Sequence, residues 1–172
     1  MLVILSGLPG AGKTTLAREL ARSLAGVHVR IDSIEQALQN SGLLIGPMND
    51  AGYRVGYAIA EDNLRLGRPV IADSVNPLQL TRDAWVDVAL RNGVTAVEIE
   101  IRCSDDKEHR QRLETRSMDI SGLQPVTWNQ VLTREYQPWN REHFILDSAG
   151  QSVHQSLECL LRQLPQTTKQ SM

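Results

Sequence analysis

The stretch GLPGAGKT, residues 7–14, decides the fold class of this chain. It fits G-x-x-x-x-G-K-[ST], a loop whose glycines let successive backbone N–H groups converge on phosphate oxygens. A short apolar run, MLVIL (1–5), precedes it, and a helical pattern, KTTLARELARSLAG (13–26), follows it. Such a strand–loop–helix unit aims the positive end of a helix at an anion. The alternative, a glycine-rich turn that binds nothing, is disfavoured because the motif and both flanks agree.

The loop predicts a nucleotide site in which individual residues have defined roles. Lys13 is expected to reach the β- and γ-phosphates of ATP, and the Thr14 hydroxyl is expected to ligate Mg²⁺. The predicted cofactors are therefore ATP and Mg²⁺. The residues expected to contact the nucleotide are Gly7, Leu8, Pro9, Gly10, Ala11, Gly12, Lys13, Thr14 and Thr15.

Composition and charge narrow the class of protein. Of the 172 residues, 41% are hydrophobic and 22% are charged, as is usual in a soluble globular protein. This length predicts one domain, at 1–164, followed by a frayed tail at 165–172. A net charge of −2 argues against extended nucleic acid as a partner. No run is long enough to predict a membrane span. Cys103 and Cys159 form no C-x-x-C pair, which favours two buried thiols in the cytoplasm.

Strand and helix patterns alternate along the chain. Strands are predicted at 1–5, 27–31, 69–73, 94–101 and 143–147. Helices are predicted at 13–26, 32–40, 49–67, 77–93, 104–117, 127–137 and 152–164. Together with the phosphate loop, this alternation predicts a three-layer α/β fold of the P-loop NTPase type. It has a five-stranded parallel sheet in the order 2-3-1-4-5, helices on both faces, and a helical lid.

Two carboxylates are predicted to face the phosphate loop. Asp32 follows the second strand and Asp73 follows the third, and ligands of parallel sheets bind beyond these strand ends. Phosphoryl transfer to a hydroxyl needs a base beside the acceptor and a counter-charge for Mg²⁺. Asp32 is the candidate base, and Asp73 is a candidate for Mg²⁺ or for the acceptor. Equally, Asp32 could be only a helix cap and Asp73 only a turn residue.

Several segments resemble polynucleotide 5′-hydroxyl kinases and their small-molecule relatives. IADSVNPLQLTR (71–82) is similar to their third-strand segment, and VRIDSI (29–34) is similar to the segment whose Asp activates the acceptor hydroxyl. The resemblance implies that Asp73, Asn76 and Arg82 bind substrate. DISGLQPVTWNQVLTREYQPW (119–139) and FILDSAG (144–150) resemble a bacterial group of predicted kinases labelled only as ATP-binding proteins. Ser74-Val75 departs from the small polar pair that is usual in these families.

CSDDKEHRQRLETR (103–116) resembles the mobile lid helix of the same kinases. The lid is expected at about 104–126. On a continuous helix Arg112 and Arg116 would share one stripe with His109, so both arginines would close over the transferring phosphate. The alternative is a solvated face joined by Asp105–His109 and Glu108–Arg112 pairs.

The function expected from these observations is transfer of the γ-phosphate of ATP to a hydroxyl on a small molecule. The predicted enzyme is thus a phosphotransferase with an alcohol-group acceptor, and Lys13, Asp32, Arg112 and Arg116 are its candidate catalytic residues. A polynucleotide 5′-hydroxyl kinase is one alternative, although it would need a basic channel. A nucleotide-hydrolysing switch is another, although no Asn-Lys-x-Asp segment, by which GTPases read the base, is present. The sequence does not name the acceptor.

Overall fold

A computed structural model describes residues 1–42 and 47–165 of the chain. Its five strands, β1 to β5, are Leu2–Ser6, Val27–Arg30, Val70–Asp73, Ala96–Arg102 and Phe144–Asp147. The helices in the described part, α1 to α7, are Lys13–Ser23, Ile31–Asn40, Ala51–Arg65, Gln79–Arg91, Asp106–Thr115, Trp128–Leu132 and Val153–Gln163. The predicted tail lies beyond the described residues except at its first position. None of these helices is long and apolar enough to cross a membrane.

The sheet confirms the predicted fold class and strand order. Its strands run β2-β3-β1-β4-β5, and every neighbouring pair is parallel. Strand β1 lies in the centre and is buried along its whole length, which explains why its sequence is apolar without alternation. Because all strands point the same way, their carboxyl ends meet along one edge, where the phosphate loop begins.

Helices cover both faces of the sheet and give the molecule two apolar cores. Leu20 of α1 and Leu160 of α7 belong to the core on one face. Leu64 of α3 and Trp85 of α4 belong to the core on the other. The Trp85 ring meets the Tyr57 ring edge-on, with 4.6 Å between the centroids. The two cores fix the sheet edge on which the phosphate loop and both strand-end carboxylates stand.

Helix α6 is shorter than predicted. The pattern indicated a helix over 127–137, but the helix ends at Leu132. Beyond it, the backbone N–H of Gln137 donates to the Pro77 carbonyl at 2.8 Å. The Gln137 side-chain carbonyl in turn accepts from the Gln79 backbone N–H at 2.9 Å. These tertiary bonds hold the chain extended against the start of α4, and they outweigh the local helical pattern.

The lid helix also differs from its prediction. Expected over 104–117, α5 spans only Asp106–Thr115. The Asp105 side chain caps it by accepting from the backbone N–H groups of Lys107 and Glu108. Arg116 follows the helix in an extended conformation, with φ −63° and ψ 135°. The prediction that Arg112 and Arg116 share one helical stripe was therefore wrong.

Candidate active site

The phosphate loop connects β1 to α1, and its backbone shape requires glycine at two positions. A Cβ on Gly7 would lie 2.2 Å from the Ile101 carbonyl oxygen, so no side chain fits between the loop and β4. Gly12 has φ +98° and is the residue that precedes α1. This left-handed conformation favours glycine and directs the loop into the helix. The loop therefore presents its backbone to the cleft at the N-terminus of α1.

Lys13 lies at the centre of this arrangement. Its side chain is buried, and Nζ donates to the Leu8 carbonyl at 2.9 Å across the loop. Burial lowers the pKa of Lys13, while the charges of Asp73 and Asp32 act in the opposite direction. Arg116 and Arg134 lower this pKa further, which places both guanidinium groups within electrostatic reach of the ammonium group. Four charged residues thus surround Lys13 at the cleft.

Asp73 is buried beside the loop and has hydrogen-bond partners on two sides. Its Oδ2 lies 3.0 Å from His28 Nε2, and it also bonds the Thr14 hydroxyl. Burial alone would raise the pKa of Asp73, but the His28 bond, the Lys13 charge and the Thr14 bond outweigh it and lower that pKa. Asp73 is therefore held as a carboxylate.

Thr14 and Asp73 together offer oxygen donors that fit Mg²⁺. No group of three or more His, Cys, Asp or Glu side chains suited to a metal occurs among residues 1–42 and 47–165. Mg²⁺ in nucleotide sites needs no such cage, because one or two protein oxygens act together with phosphate oxygens and water. The hydroxyl and carboxylate beside the phosphate loop are suited to that arrangement.

Asp32 lies in the first turn of α2 and faces the cleft. The helix begins at Ile31, its cap position is Arg30, and no side chain caps it. The alternative role of Asp32 as a helix cap was therefore wrong. Its side chain is 45% exposed, and Oδ2 lies 3.8 Å from an Nη atom of Arg30. The carboxylate can thus approach an acceptor without first giving up a short hydrogen bond to Arg30.

These side chains line one cleft of about 370 Å³. Most of the predicted site residues lie on its wall: Pro9, Gly10, Gly12, Lys13, Thr14, Thr15, Asp32, Asp73, Arg112 and Arg116. Three other loop residues, Gly7, Leu8 and Ala11, are not on that wall. The structure thus brings the phosphate loop, both strand-end carboxylates and both lid arginines to a single site.

Arg82, predicted to bind substrate, does not reach the cleft. It is fully buried, and its guanidinium donates to backbone carbonyls of Asn76, Pro77, Gln137 and Pro138. The Tyr136 and Trp139 rings lie against it, with centroids 4.9 and 4.3 Å from Cζ. With every nitrogen of its fork so engaged, Arg82 anchors the extended segment after α6 to the start of α4.

Asn76, the other substrate residue named from the third-strand segment, is also absent from the cleft wall. It is fully buried, and its Nδ2 donates to the Ser6 hydroxyl at 3.1 Å and to the Leu5 carbonyl at 3.4 Å. Its φ of +48° lies in the left-handed region, which Asn adopts more readily than most residues. These contacts tie the turn after β3 to the end of β1.

The two lid arginines have different surroundings. Arg112 donates to the Ser148 hydroxyl at 2.8 Å, to the Ser148 carbonyl at 2.9 Å and to Glu108 at 2.5 Å. The Glu108–Arg112 half of the solvated-face alternative is therefore present, whereas Asp105 caps α5. Arg116 makes no ion pair within the described ranges, and its buried Nε has no hydrogen-bond partner there. Of the two, Arg116 has the guanidinium that is available to a ligand.

Known proteins share sequence with this chain. A family described as "AAA domain" matches residues 2–134. Shikimate kinase of Corynebacterium efficiens is 32% identical over 132 residues, which cover 67% of this chain and 78% of that protein. Shikimate kinase of Corynebacterium glutamicum is 30% identical over 128 residues, covering 65% and 76%. The chain belongs to the AAA domain family. This AAA domain is a P-loop phosphotransferase that acts on hydroxyl groups of small molecules.

A solved structure shares the fold of this AAA domain. APS kinase of Mycobacterium tuberculosis, in complex with AMPPNP and APS, superposes with a TM-score of 0.69 at 16% identity. The match covers 94% of this chain and 95% of that one. At this identity the likeness concerns the fold.

Sequence reasoning did not identify Arg134 as a cleft residue or His109 as a buried anchor of the lid helix. Arg134 lines the cleft just after α6, and in the described part of the chain its guanidinium has no ion-pair partner. Its charge lowers the pKa of Glu35, which burial and Asp32 raise. His109, taken for a lid surface residue, is buried, and its Nε2 lies 2.8 Å from the Pro9 carbonyl. No motif marks Arg134. His109 stands among other polar residues of α5, so its position in the sequence is only a weak signal of burial.

Proposed function

We propose that this AAA domain transfers the γ-phosphate of Mg²⁺-ATP to a hydroxyl of a small molecule in the cytoplasm. One observation carries the proposal: the Asp32 carboxylate lines the same cleft as the phosphate loop and is not consumed as a helix cap. A carboxylate so placed suits phosphoryl transfer to an acceptor. Two free cysteines in the described residues fit a reducing compartment.

The nucleotide would be held by the loop backbone and by Lys13. Lys13 Nζ would exchange its Leu8 carbonyl bond for the β- and γ-phosphate oxygens. Bound Mg²⁺ would neutralise developing charge on the phosphates. The Thr14 hydroxyl and the Asp73 carboxylate are the groups that would ligate it, and His28 would keep Asp73 oriented from the opposite side.

Asp32 would act as the base. As the acceptor oxygen forms its bond to the γ-phosphorus, the hydroxyl proton passes to the Asp32 carboxylate, and ADP leaves. The half-exposed side chain supports this role, because an acceptor can approach it from solvent.

Arg116 would stabilise the transferring phosphate. Its guanidinium lacks an ion pair within the described residues, lines the cleft and acts on Lys13 electrostatically. Arg112, by contrast, is tied to Ser148 after β5 and to Glu108. We therefore assign the transferring phosphate to Arg116 and the wall beside the β5 loop to Arg112.

The alternatives receive less support. A polynucleotide kinase needs a basic track, but most arginines outside the cleft are paired with carboxylates, as Arg65 and Arg91 are with Glu61. A hydrolytic switch does not need an acceptor base. The two relatives of which this chain matches more than three quarters are named shikimate kinase, after a small-molecule acceptor.

An ADP-release screen over hydroxyl acceptors tests the proposal. It should include sugars, cyclitols, nucleosides, antibiotics and oligonucleotide 5′ ends, with Asp32→Asn as the matched variant. We expect one small-molecule class to stimulate ADP release and Asp32→Asn to lower that stimulated rate on the order of 10²-fold. The melting temperature of Asp32→Asn should match that of the wild type, because the Asp32 side chain does not cap α2. Stimulation by 5′ ends alone, ADP release that no acceptor raises above the basal hydrolysis of ATP, or an Asn variant that transfers phosphate normally would contradict it.

A further inference from the structure

Arg30, at the end of β2, lies among three carboxylates. Its Nη1 donates to both oxygens of Asp119, at 2.8 and 3.1 Å. Its Nη2 lies 3.8 Å from Asp32 Oδ2, and its Nε lies 4.0 Å from Asp73 Oδ2. The side chain is only 10% exposed. One arginine therefore bonds a carboxylate of the lid while facing the candidate base and the candidate metal ligand at longer distances.

Asp119 attaches the lid segment 117–126 to the rest of the molecule. It pairs with Arg18 of α1 as well as with Arg30. The Arg18 bond, aided by the Arg30 bond, lowers the pKa of Asp119 to about 2. Among the described residues, the side chain of Asp119 makes every hydrogen bond that joins this segment to other elements. We call Asp119, Arg18 and Arg30 the latch.

The segment that the latch holds forms part of the cleft. Leu123, Gln124 and Val126 line the same cavity as the phosphate loop. The contact that attaches this part of the cleft wall is therefore also the shortest bond of Arg30.

We propose that Arg30 is a positioning residue through which the lid controls Asp32, a role that rests on Asp32 being the base. With the latch made, Asp119 holds the guanidinium, and Asp32 is left free to take a proton from the acceptor. With the latch broken, Arg30 moves onto Asp32 and occupies the oxygen that would accept this proton. The arrangement keeps the base idle while the site is open to water.

Distances support this role. At 3.8 Å the Arg30–Asp32 contact is an ion pair but too long for a hydrogen bond. A movement of about 1 Å, within the reach of an arginine side chain, would make it a direct charge-assisted bond. Arg30 Nε is buried, has no hydrogen-bond partner in the described part of the chain and lies 4.0 Å from Asp73 Oδ2, so it makes no short bond that would hold the guanidinium away from Asp32. The carboxylates that remain near Arg30 once Asp119 leaves are Asp32 and Asp73.

The test measures the acceptor-independent hydrolysis of Mg²⁺-ATP, in which water replaces the acceptor and Asp32 takes its proton. Amide hydrogen exchange of residues 117–126 is measured in parallel. D119A should speed that exchange at least about fivefold and slow hydrolysis roughly two- to fivefold, the range of one partly exposed ion pair. Adding R30Q to D119A should recover the rate, because both variants are unlatched but only D119A retains the arginine that restrains Asp32.

R18Q is the matched control, because it removes the α1 side of the latch and leaves Arg30 on Asp119. Its hydrolysis rate should stay within about 1.5-fold of wild type. Unchanged exchange in D119A, a double variant no faster than D119A, or equal losses in R18Q and D119A would each overturn the proposal. The D119A and R18Q comparison decides even if R30Q does not fold. Wild-type hydrolysis by D32N would overturn the base assignment as well, whereas a slow D32N without rescue overturns only the role of Arg30.

Discussion

Replacing the two lid arginines one at a time should separate catalysis from stability. Arg116→Ala removes a guanidinium that has no ion pair in the described residues and whose buried Nε has no partner. No hydrogen bond to the described residues is lost, so the melting temperature should stay within about 1 °C of wild type. If Arg116 meets the transferring phosphate, turnover should fall about 10³-fold, the scale of an arginine that stabilises this transition state.

Arg112→Ala should do the reverse. It removes two bonds to Ser148 and one to Glu108 from a side chain that is 29% exposed. Discounted for that exposure, the loss is about 1–2 kcal/mol in the free energy of unfolding. For a domain of this size it corresponds to a fall in melting temperature of roughly 2–8 °C. Turnover at saturating ATP should fall by no more than about tenfold.

The assays are thermal unfolding and ADP release with the acceptor found in the screen. Arg110→Ala is the matched control, because Arg110 lies on α5 but pairs with Glu114 on the exposed surface. It should change neither quantity appreciably. The reasoning is refuted if Arg112→Ala loses about 10³-fold in turnover while Arg116→Ala stays within tenfold of wild type.

Three further predictions test other parts of the molecule. Lys13→Ala should abolish measurable turnover and weaken ATP binding in calorimetry. The variant should stay folded, because the substitution removes a buried charge that makes a single hydrogen bond, and near-normal turnover would contradict the phosphate-loop assignment. Arg82→Lys should lower the free energy of unfolding by about 2–4 kcal/mol in urea titration, because lysine cannot donate to all four carbonyls. A stable variant that fails only in acceptor binding would instead support the predicted substrate role of Arg82. Burial raises the pKa values of all three tyrosines, to about 12 for Tyr53 and Tyr136. Between pH 10 and about 12 the unfolded chain therefore loses protons that the folded chain keeps, so the free energy of unfolding falls as pH rises. Absorbance at 295 nm should then rise in one step with unfolding, and a separate transition near pH 10 would contradict this.

The fold and the phosphate side of the site could be predicted from the sequence because their signals are local. The loop needs Gly7 and Gly12 at fixed spacing, since one backbone close approach and one left-handed residue are involved. Strand and helix patterns alternate, and this alternation restricts the topology to a parallel sheet. Asp32 lies just after β2 and Asp73 is the last residue of β3, so parallel geometry alone brings them to the loop edge.

The remaining site residues depend on contacts between distant segments. Arg82 is predicted to bind substrate because segment 71–82 resembles the third-strand segment of polynucleotide 5′-hydroxyl kinases. Its guanidinium instead serves carbonyls at 137 and 138, more than fifty residues away. Arg134 has no neighbours in sequence that mark it as a cleft residue. Propensity and spacing carry no information about such partners, because they describe only the local backbone.

The lid shows why one wrong boundary did not remove the lid arginines from the site. Arg116 was assigned to the cleft on the premise that the helix continues through 116, and the helix ends at Thr115. Arg116 nevertheless lines the cleft, because it directly follows α5, and His109 docks that helix on the Pro9 carbonyl. This docking contact, rather than helical phase, therefore sets the direction of Arg116. Weakening it should misplace Arg116 without altering it, so docking of α5 and transition-state stabilisation are coupled through His109.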